Sequence, residues 1–233
     1  MKGLWLLPTR RRVEIVKRFL ANAVANGLSS PGRILVQDSE LAELRAEYDS
    51  IELPPGWSIV GCPEDSICET TRGALPLYRD LDWVGTVTDD VVPETPGWEA
   101  KLLEWQDGRT IVSCDDGSQA PKRMAGAIIW PIAIFRAVGY WVPSGFKHCF
   151  VDDLWETLGR ETGCWRVRMD VMVRHLHPFG AGGVQDETHF HSYRADKWAN
   201  DSALYADWQA NHKARALSRL SAFLVKVPRK EAA

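Results

Sequence analysis

Apolar residues along the first 90 positions fall into two alternating rhythms. Four short, nearly continuous apolar runs read as strands buried on both faces: "GLWLLPT" (3–9), "GRILVQDS" (32–39), "WSIVGC" (57–62) and "WVGTVTDD" (83–90). Between them the period lengthens. In "RRVEIVKRFLANAVANG" (11–27) the apolar positions Val13, Val16, Phe19, Leu20 and Ala23 share one helical face, which Gly27 closes. "SELAELRAEY" (39–48) predicts a second helix with Ser39 as N-cap, and "SICETTRGALPLYRD" (66–80) a third, interrupted at Gly73 and Pro76. Strand and helix alternating in this way predict an α/β domain with a parallel sheet, whose ligands sit beyond the carboxyl ends of the strands. Pro8, Thr9, Arg10, Asp38, Asp89 and Asp90 all fall at such ends, and so at one edge.

The second half is more mixed. A helix around "PGWEAKLLEWQ" (96–106) leads to a strand and turn, "RTIVSCDDGS" (109–118). Met124–Val142 carries one charge, Arg136, but Pro131 and Gly139 divide it into a strand, "AGAIIW", and a short buried helix, "PIAIFRAVGY". That division fits a protein core rather than a bilayer span. After the loop "WVPSGFKH" comes an amphipathic helix, "VDDLWETLGRETG" (151–163), then a long strand, "CWRVRMDVMVRHLHP" (164–178). The remainder is polar, with "GAGGVQDETHFHSYR" (180–194) its most loop-like stretch. One domain over 1–233 is expected, without repeats or a low-complexity linker.

Composition changes this picture little. Hydrophobic residues make up 45% and charged residues 25%, ordinary for a soluble globular chain long enough to bury a sizeable core. A net charge of −3 argues against a dominant nucleic-acid surface, although Arg10–Arg12 and the tail from Lys226 to Lys230 are locally basic. Eleven tryptophans suit a core and also suit stacking on sugars or bases. The five cysteines are scattered and show no C-x-x-C spacing, which points away from a disulfide framework or zinc cluster and toward a cytoplasmic setting.

Four constellations could carry chemistry. Asp89 and Asp90 end an apolar strand, and adjacent like charges need water, a turn or a cation to relieve them. Asp commonly caps turns, but a pair at a sheet edge also suits Mg²⁺ or Mn²⁺ held by one or two carboxylates and substrate phosphates. His175 and His177 alternate on a strand and so share a face; they serve either as structural histidines or as metal ligands, and imidazole accepts Mn²⁺. Asp152 and Asp153 sit at a helix start, where carboxylates offset the macrodipole or act as a general base, with Lys147 and His148 beside them. Pro8-Thr9-Arg10-Arg11-Arg12 lacks the glycine pattern and lysine of a phosphate loop, yet its turn and arginines suit a nucleotide; Arg11 reads as a solvated helix start.

Taken in order over about the first 180 residues, these segments resemble an inverting, family 2-like glycosyltransferase of the GT-A fold. "LLPTRRR" resembles the first-strand motif, "LVQDS" the second-strand aspartate, and "VGTVTDDVVPETPGW" the D-x-D region. "RAVGYWVPSGFKHCFVDDLWETLG" resembles the acceptor loop and catalytic-aspartate helix, and "VMVRHLHP" the late metal-ligand strand. The resemblance implies a three-layer α/β/α sandwich on a mostly parallel, Rossmann-like sheet. It divides the chain into a nucleotide-sugar-binding half (1–98), an acceptor and catalytic half (99–180) and a loop and helical tail (181–233). Pro8, Thr9, Arg10, Arg12, Asp38 and Asp89 would contact the donor nucleotide. Asp90 with His175 or His177 would hold Mn²⁺ or Mg²⁺, and Asp152 or Asp153 would be the base. A segment carrying His189, His191 and Arg194 would close over the diphosphate. The implied donor is a nucleoside-diphosphate sugar. The implied acceptor is a hydroxyl of a glycan, a lipid-linked sugar or another molecule; nucleic acid is not indicated. Three other readings stay open: a non-catalytic sugar- or partner-binding module on a degenerate version of the fold, a sugar-nucleotidyltransferase, and a metal hydrolase.

Overall fold

The computed structural model describes residues 1–63, 66–74, 78–124, 126–176 and 185–227. The strands are β1 (Gly3–Pro8), β2 (Gly32–Gln37), β3 (Trp57–Cys62), β4 (Trp83–Thr86), β5 (Val91–Pro93), β6 (Ile111–Asp115), β7 (Ile128–Pro131) and β8 (Trp165–His175). The helices are α1 (Val13–Ala25), α2 (Asp38–Glu43), α3 (Arg45–Asp49), α4 (Ile67–Ala74) and α5 (Trp98–Glu104). They continue with α6 (Ile132–Val138), α7 (Val151–Thr162), α8 (Glu187–Ser192), α9 (Ala195–Asp207) and α10 (Lys213–Lys226), a π-helical turn joining the last two. Among the described residues no helix is long and apolar enough to cross a membrane.

All eight strands form one sheet in the order β3-β2-β1-β4-β7-β6-β8-β5. The first four are parallel, as the alternation predicts; β7 is antiparallel to β4 and β6, β8 runs parallel to β6, and β5 antiparallel to β8. Helices cover both faces, giving three layers with a core on each side. One core gathers Leu4, Leu6, Ile134, Trp155 and Leu220 under α4, α6, α7 and α10. The other gathers Trp5, Val16, Phe19, Trp57 and Trp98 under α1 and α5. All five apolar positions of the α1 face are buried, and α1 ends before Gly27, whose φ is +97°. Eight of the eleven tryptophans are buried, so most of that count is core.

Three of those indoles explain three strand glycines. Gly3 pairs in register with Trp83, Gly32 with Trp57 and Gly85 with Trp5. A Cβ on any of these glycines would lie 2.1–2.4 Å from its partner's ring, so each indole lies flat in the space the missing side chain leaves. Glu99, fully buried on α5, clamps the turn before β2 by accepting Trp5 Nε1 at 2.6 Å, Ser29 N at 2.7 Å, Ser29 Oγ at 2.8 Å and Ser30 N at 3.1 Å.

Several elements depart from the sequence pattern. The helix expected from Ser39 begins one residue earlier and breaks at Leu44 into α2 and α3; no side chain caps it, so Ser39 is not the N-cap. Gly73 lies within α4, and the interruption expected at Pro76 lies outside the described residues. β4 stops at Thr86, and Asp89 and Asp90 occupy the turn before β5, a strand absent from the sequence expectation. The stretch expected to be loop-like contains α8, started by a capping box in which Asp186 accepts the His189 backbone N–H.

Candidate active site

The carboxyl ends of β1, β4 and β8 meet at one place. Val87 N donates to Leu6 O at 3.1 Å and carries the chain past β1, bringing Asp89 against Thr9, whose Oγ1 donates to Asp89 Oδ2 at 2.6 Å. The antiparallel pairing of β5 with β8 sets Val91 opposite His175, and Leu176 N donates to Asp90 O at 2.9 Å. His175 Nε2 consequently lies 3.3 Å from Asp90 Oδ1.

The cation that relieves the two carboxylates comes from the chain itself. Arg12, buried at the start of α1, donates from Nη1 to Asp89 Oδ1 at 2.8 Å and reaches Asp90 Oδ2 at 3.4 Å. Its other edge forms a fork with Asp186, Nε to Oδ2 at 2.8 Å and Nη2 to Oδ1 at 2.9 Å, and lies 2.9 Å from His189 Nδ1. His189 Nε2 is 3.7 Å from Asp90 Oδ2. One guanidinium thus ties α8 to the sheet edge. Burial and the Asp90 charge push the Asp89 carboxyl up. Burial acts the same way on Asp90, but His175 and Arg12 outweigh it and hold Asp90 well below the usual range. Burial also opposes ionisation of Asp186, which the Arg12 fork nevertheless holds at about 2.

Asp90 therefore presents two unlike oxygens. Oδ2 faces Arg12 and His189; Oδ1 is buried, makes no well-directed hydrogen bond, and lies near His175. An oxygen and an imidazole nitrogen so placed fit a Mn²⁺ or Mg²⁺ ion. Among the described residues no three His, Cys, Asp or Glu side chains are assembled for a metal, so further ligands would have to come from elsewhere.

These groups open onto a cavity of about 800 Å³, whose other wall is the first turn of α7. Asp152 and Asp153 both line it, paired with Arg123 Nη2 at 3.4 and 2.6 Å, while Arg123 Nε binds Glu156 at 3.1 Å. Burial and the adjacent Asp153 charge push the Asp152 carboxyl up to about 6. Burial raises Asp153 as well, against the pull of Arg123.

Of the residues singled out in the sequence, Pro8, Thr9, Arg10, Arg12, Asp89, Asp90, Asp152, Asp153 and His175 line this one cavity. His177 lies outside the described residues. Asp38 does not join them. β2 ends at Gln37 and turns at once into α2, so Gln37 and Glu40 face the cavity while Asp38 is exposed and packs at Gly61 of β3. Of the three expected closing residues only His189 reaches the cluster; His191 bonds Lys197, and Arg194 forks with Asp196. Lys147 pairs with Glu69 at 2.8 Å, and His148, held neutral by burial at a pKa of about 4, packs edge-on against Tyr193. The pattern missed Arg123 and Asp186. The capping-box spacing "DETH" was the one local signal for Asp186; nothing local marks Arg123.

No protein-family model and no curated protein matches the sequence. Solved structures do match the fold. A mannosyltransferase from Pyrobaculum calidifontis, in complex with GDP-Man and Mn²⁺, aligns over 97% of this chain and 74% of its own with a TM-score of 0.59 and 13% identity. S. aureus TarS in complex with UDP-GlcNAc aligns over 96% of this chain and 71% of its own, with a TM-score of 0.61 and 14% identity. The catalytic domain of Drosophila beta1,4-galactosyltransferase 7, in complex with xylobiose, aligns over 79% and 75%, with a TM-score of 0.51 and 15% identity. With this sheet order and these neighbours, the chain has a GT-A-like α/β fold.

Proposed function

We propose that the chain is a metal-dependent, inverting glycosyltransferase that moves a sugar from a nucleoside-diphosphate donor to an acceptor hydroxyl. The observation that carries this reading is one cavity holding two unlike acidic pairs: Asp89–Asp90 with His175 at the sheet edge, and Asp152–Asp153 at the start of α7. Asp90 is held low with His175 beside it, which suits a cation; Asp89 is pushed up to about 6 but is tied to Thr9 and Arg12. Asp152, also at about 6, stands at the opposite wall of the cavity, and that separation of a low carboxylate from a near-neutral one supports metal binding at the first pair and general-base work at the second.

On this reading Pro8, Thr9, Arg10 and Gln37 form the nucleotide wall, and Thr9 fixes Asp89 by its 2.6 Å bond. Asp90 and His175 would hold the divalent ion, with His177 the other histidine candidate. Bound there, the ion supplies Lewis-acid stabilisation of the departing diphosphate. Asp152 takes the proton of the acceptor hydroxyl as that oxygen attacks the anomeric carbon from the face opposite the leaving group, which inverts the centre. Asp153, held at 2.6 Å by Arg123, is the neighbour whose charge keeps Asp152 basic. The Arg12 fork keeps α8 closed over the donor end and excludes water. Residues 1–98 would serve the donor and 99–180 the acceptor and catalysis, with 181–233 a loop and helical tail of which α8 supplies the closure. Two fold neighbours are in complex with GDP-Man and Mn²⁺ and with UDP-GlcNAc, which supports the donor class and the ion. Five cysteines without a disulfide fit a reducing, cytoplasmic setting.

The test is turnover with a panel of nucleoside-diphosphate sugars, Mn²⁺ and saccharide acceptors, following nucleoside diphosphate release. Donor-dependent release that needs both ion and acceptor supports the reading. Pyrophosphate as product would assign a nucleotidyltransferase instead, and sugar binding with neither product would assign a binding module.

A further inference from the structure

α9 is a polar helix with one fully buried residue, and that residue is a carboxylate. Asp201, with no exposed surface, accepts hydrogen bonds from three consecutive backbone amides: Lys147 N at 2.9 Å, His148 N at 2.8 Å and Cys149 N at 2.8 Å. Asn200 Nδ2 adds a fourth at 2.9 Å and also donates to Gly145 O at 3.0 Å. The loop they grip is the one that delivers α7. Immediately after it Phe150 stands at φ +66°, a left-handed conformation unusual for an aromatic residue, and Leu154 N donates back to Phe150 O at 3.0 Å. Asp152 is two residues further on.

A strained residue persists only where its surroundings over-determine it. Here the surroundings are Asp201 on one side and the rings of Tyr205 and Trp198 on the other, at 5.3 and 5.0 Å from the Phe150 ring. A carboxylate that accepts three successive N–H groups fixes their direction, as charge-assisted bonds are short and directional. Apolar packing would hold α9 in place without setting that direction.

We propose that Asp201 is a positioning residue for the transfer reaction: it clamps loop 147–149 so that Phe150 stays left-handed and the first turn of α7 aims Asp152 into the cavity. This rests on the glycosyltransferase reading above. Asp201 does not touch the donor wall of Thr9, Asp89 and Asp90, so its loss acts on the base and not on donor binding.

The Asp201→Asn variant keeps the size of the side chain but turns an amide NH₂ toward N–H donors. With the base displaced, kcat for transfer is expected to fall about 10²-fold, the cost of misplacing a catalytic group by roughly an ångström. The thermal shift produced by nucleoside diphosphate plus Mn²⁺ stays at the wild-type value. The acid limb of the kcat profile moves away from about pH 6, because the surroundings of Asp152 at the cavity wall change. Unchanged kcat and pH limb in a folded variant would overturn the proposal, as would an equal loss of donor binding and turnover, which marks general damage. Should the variant not fold, hydrogen exchange on the wild type decides: the amides of Lys147, His148 and Cys149 are expected to exchange as slowly as the core strands, and fast exchange overturns the clamp. A wild-type protein that transfers no sugar from any donor fails at the earlier step and is recognised before any variant is made.

Discussion

At the level of single residues, the two acidic pairs in the cavity differ because their neighbours differ. Asp90 is buried with a guanidinium and an imidazole against it, whereas Asp152, only partly buried, faces a second carboxylate and has one shared arginine to offset it. With Asp152 as the proposed base, at a pKa of about 6, transfer should rise about tenfold per unit up to pH 6 and level off above it, measured as kcat. The Asp152→Asn variant should lose roughly 10²–10⁴-fold in kcat while still binding donor. The sign for stability is opposite. Asp152 in the folded chain titrates above its ordinary value, so the folded state gains from its protonation below the ordinary carboxylate range and loses that gain as pH rises through about 6. Melting of Asp152→Asn above pH 6 should therefore occur at or above the wild-type temperature. Arg12 tests the other pair. Arg12→Met leaves Asp89 and Asp90 buried without their guanidinium, and unfolding free energy should drop by about 3–5 kcal/mol in a denaturant titration. Mn²⁺ should recover part of that loss.

Elements were legible where one pattern decided them. The short apolar runs that became β1, β2 and β3, and the helical face of α1, needed only local periodicity, and the structure has each within a residue or two of its expected bounds. Elements that depend on distant partners were not legible. β5 is three residues long and exists because β8 offers it an edge, and that pairing is what brings Asp90 to His175. The turn at Asp89 and Asp90 was readable as a strand end, but its counter-charge Arg12 lies 77 residues away and its link to Asp186 spans 174. Likewise α8 and α9 carry few buried apolar groups, so no hydrophobic stripe announced them; a capping box and a buried carboxylate hold them instead. The glycine–indole pairs make the sheet itself testable. Gly85→Ala puts a Cβ about 2.2 Å from the fully buried Trp5 ring, and overpacking of this kind should cost ~1–3 kcal/mol, read as a lower denaturation midpoint at unchanged slope.

Across the whole molecule, fold and chemistry rest on different grounds. The sheet order and its solved neighbours define the fold at 12–15% identity, which leaves the residues of the cavity as the argument for function. Nine of the eleven site residues singled out in the sequence line that cavity, from β1, the start of α1, the β4–β5 turn, α7 and β8, although they span positions 8 to 175. Convergence from distant segments is what a donor and acceptor pocket at a sheet edge requires. It also gives a measurement that needs no acceptor. A ligand that binds only the folded chain stabilises it by about 2.7 kcal/mol at a hundredfold excess over its Kd. If Asp90 Oδ1 and His175 seat the ion as proposed, Mn²⁺ and nucleoside diphosphate should bind synergistically. The melting temperature should rise by several degrees with both present, and by more than the summed single shifts that independent sites would give. Chelation with EDTA should return it to the ligand-free value. His175→Ala should abolish the excess over the single shifts while Asp152→Asn keeps it, since only His175 lies on the ion's side of the cavity. No shift with any nucleoside diphosphate at millimolar concentration, with or without Mn²⁺, would sink the donor assignment.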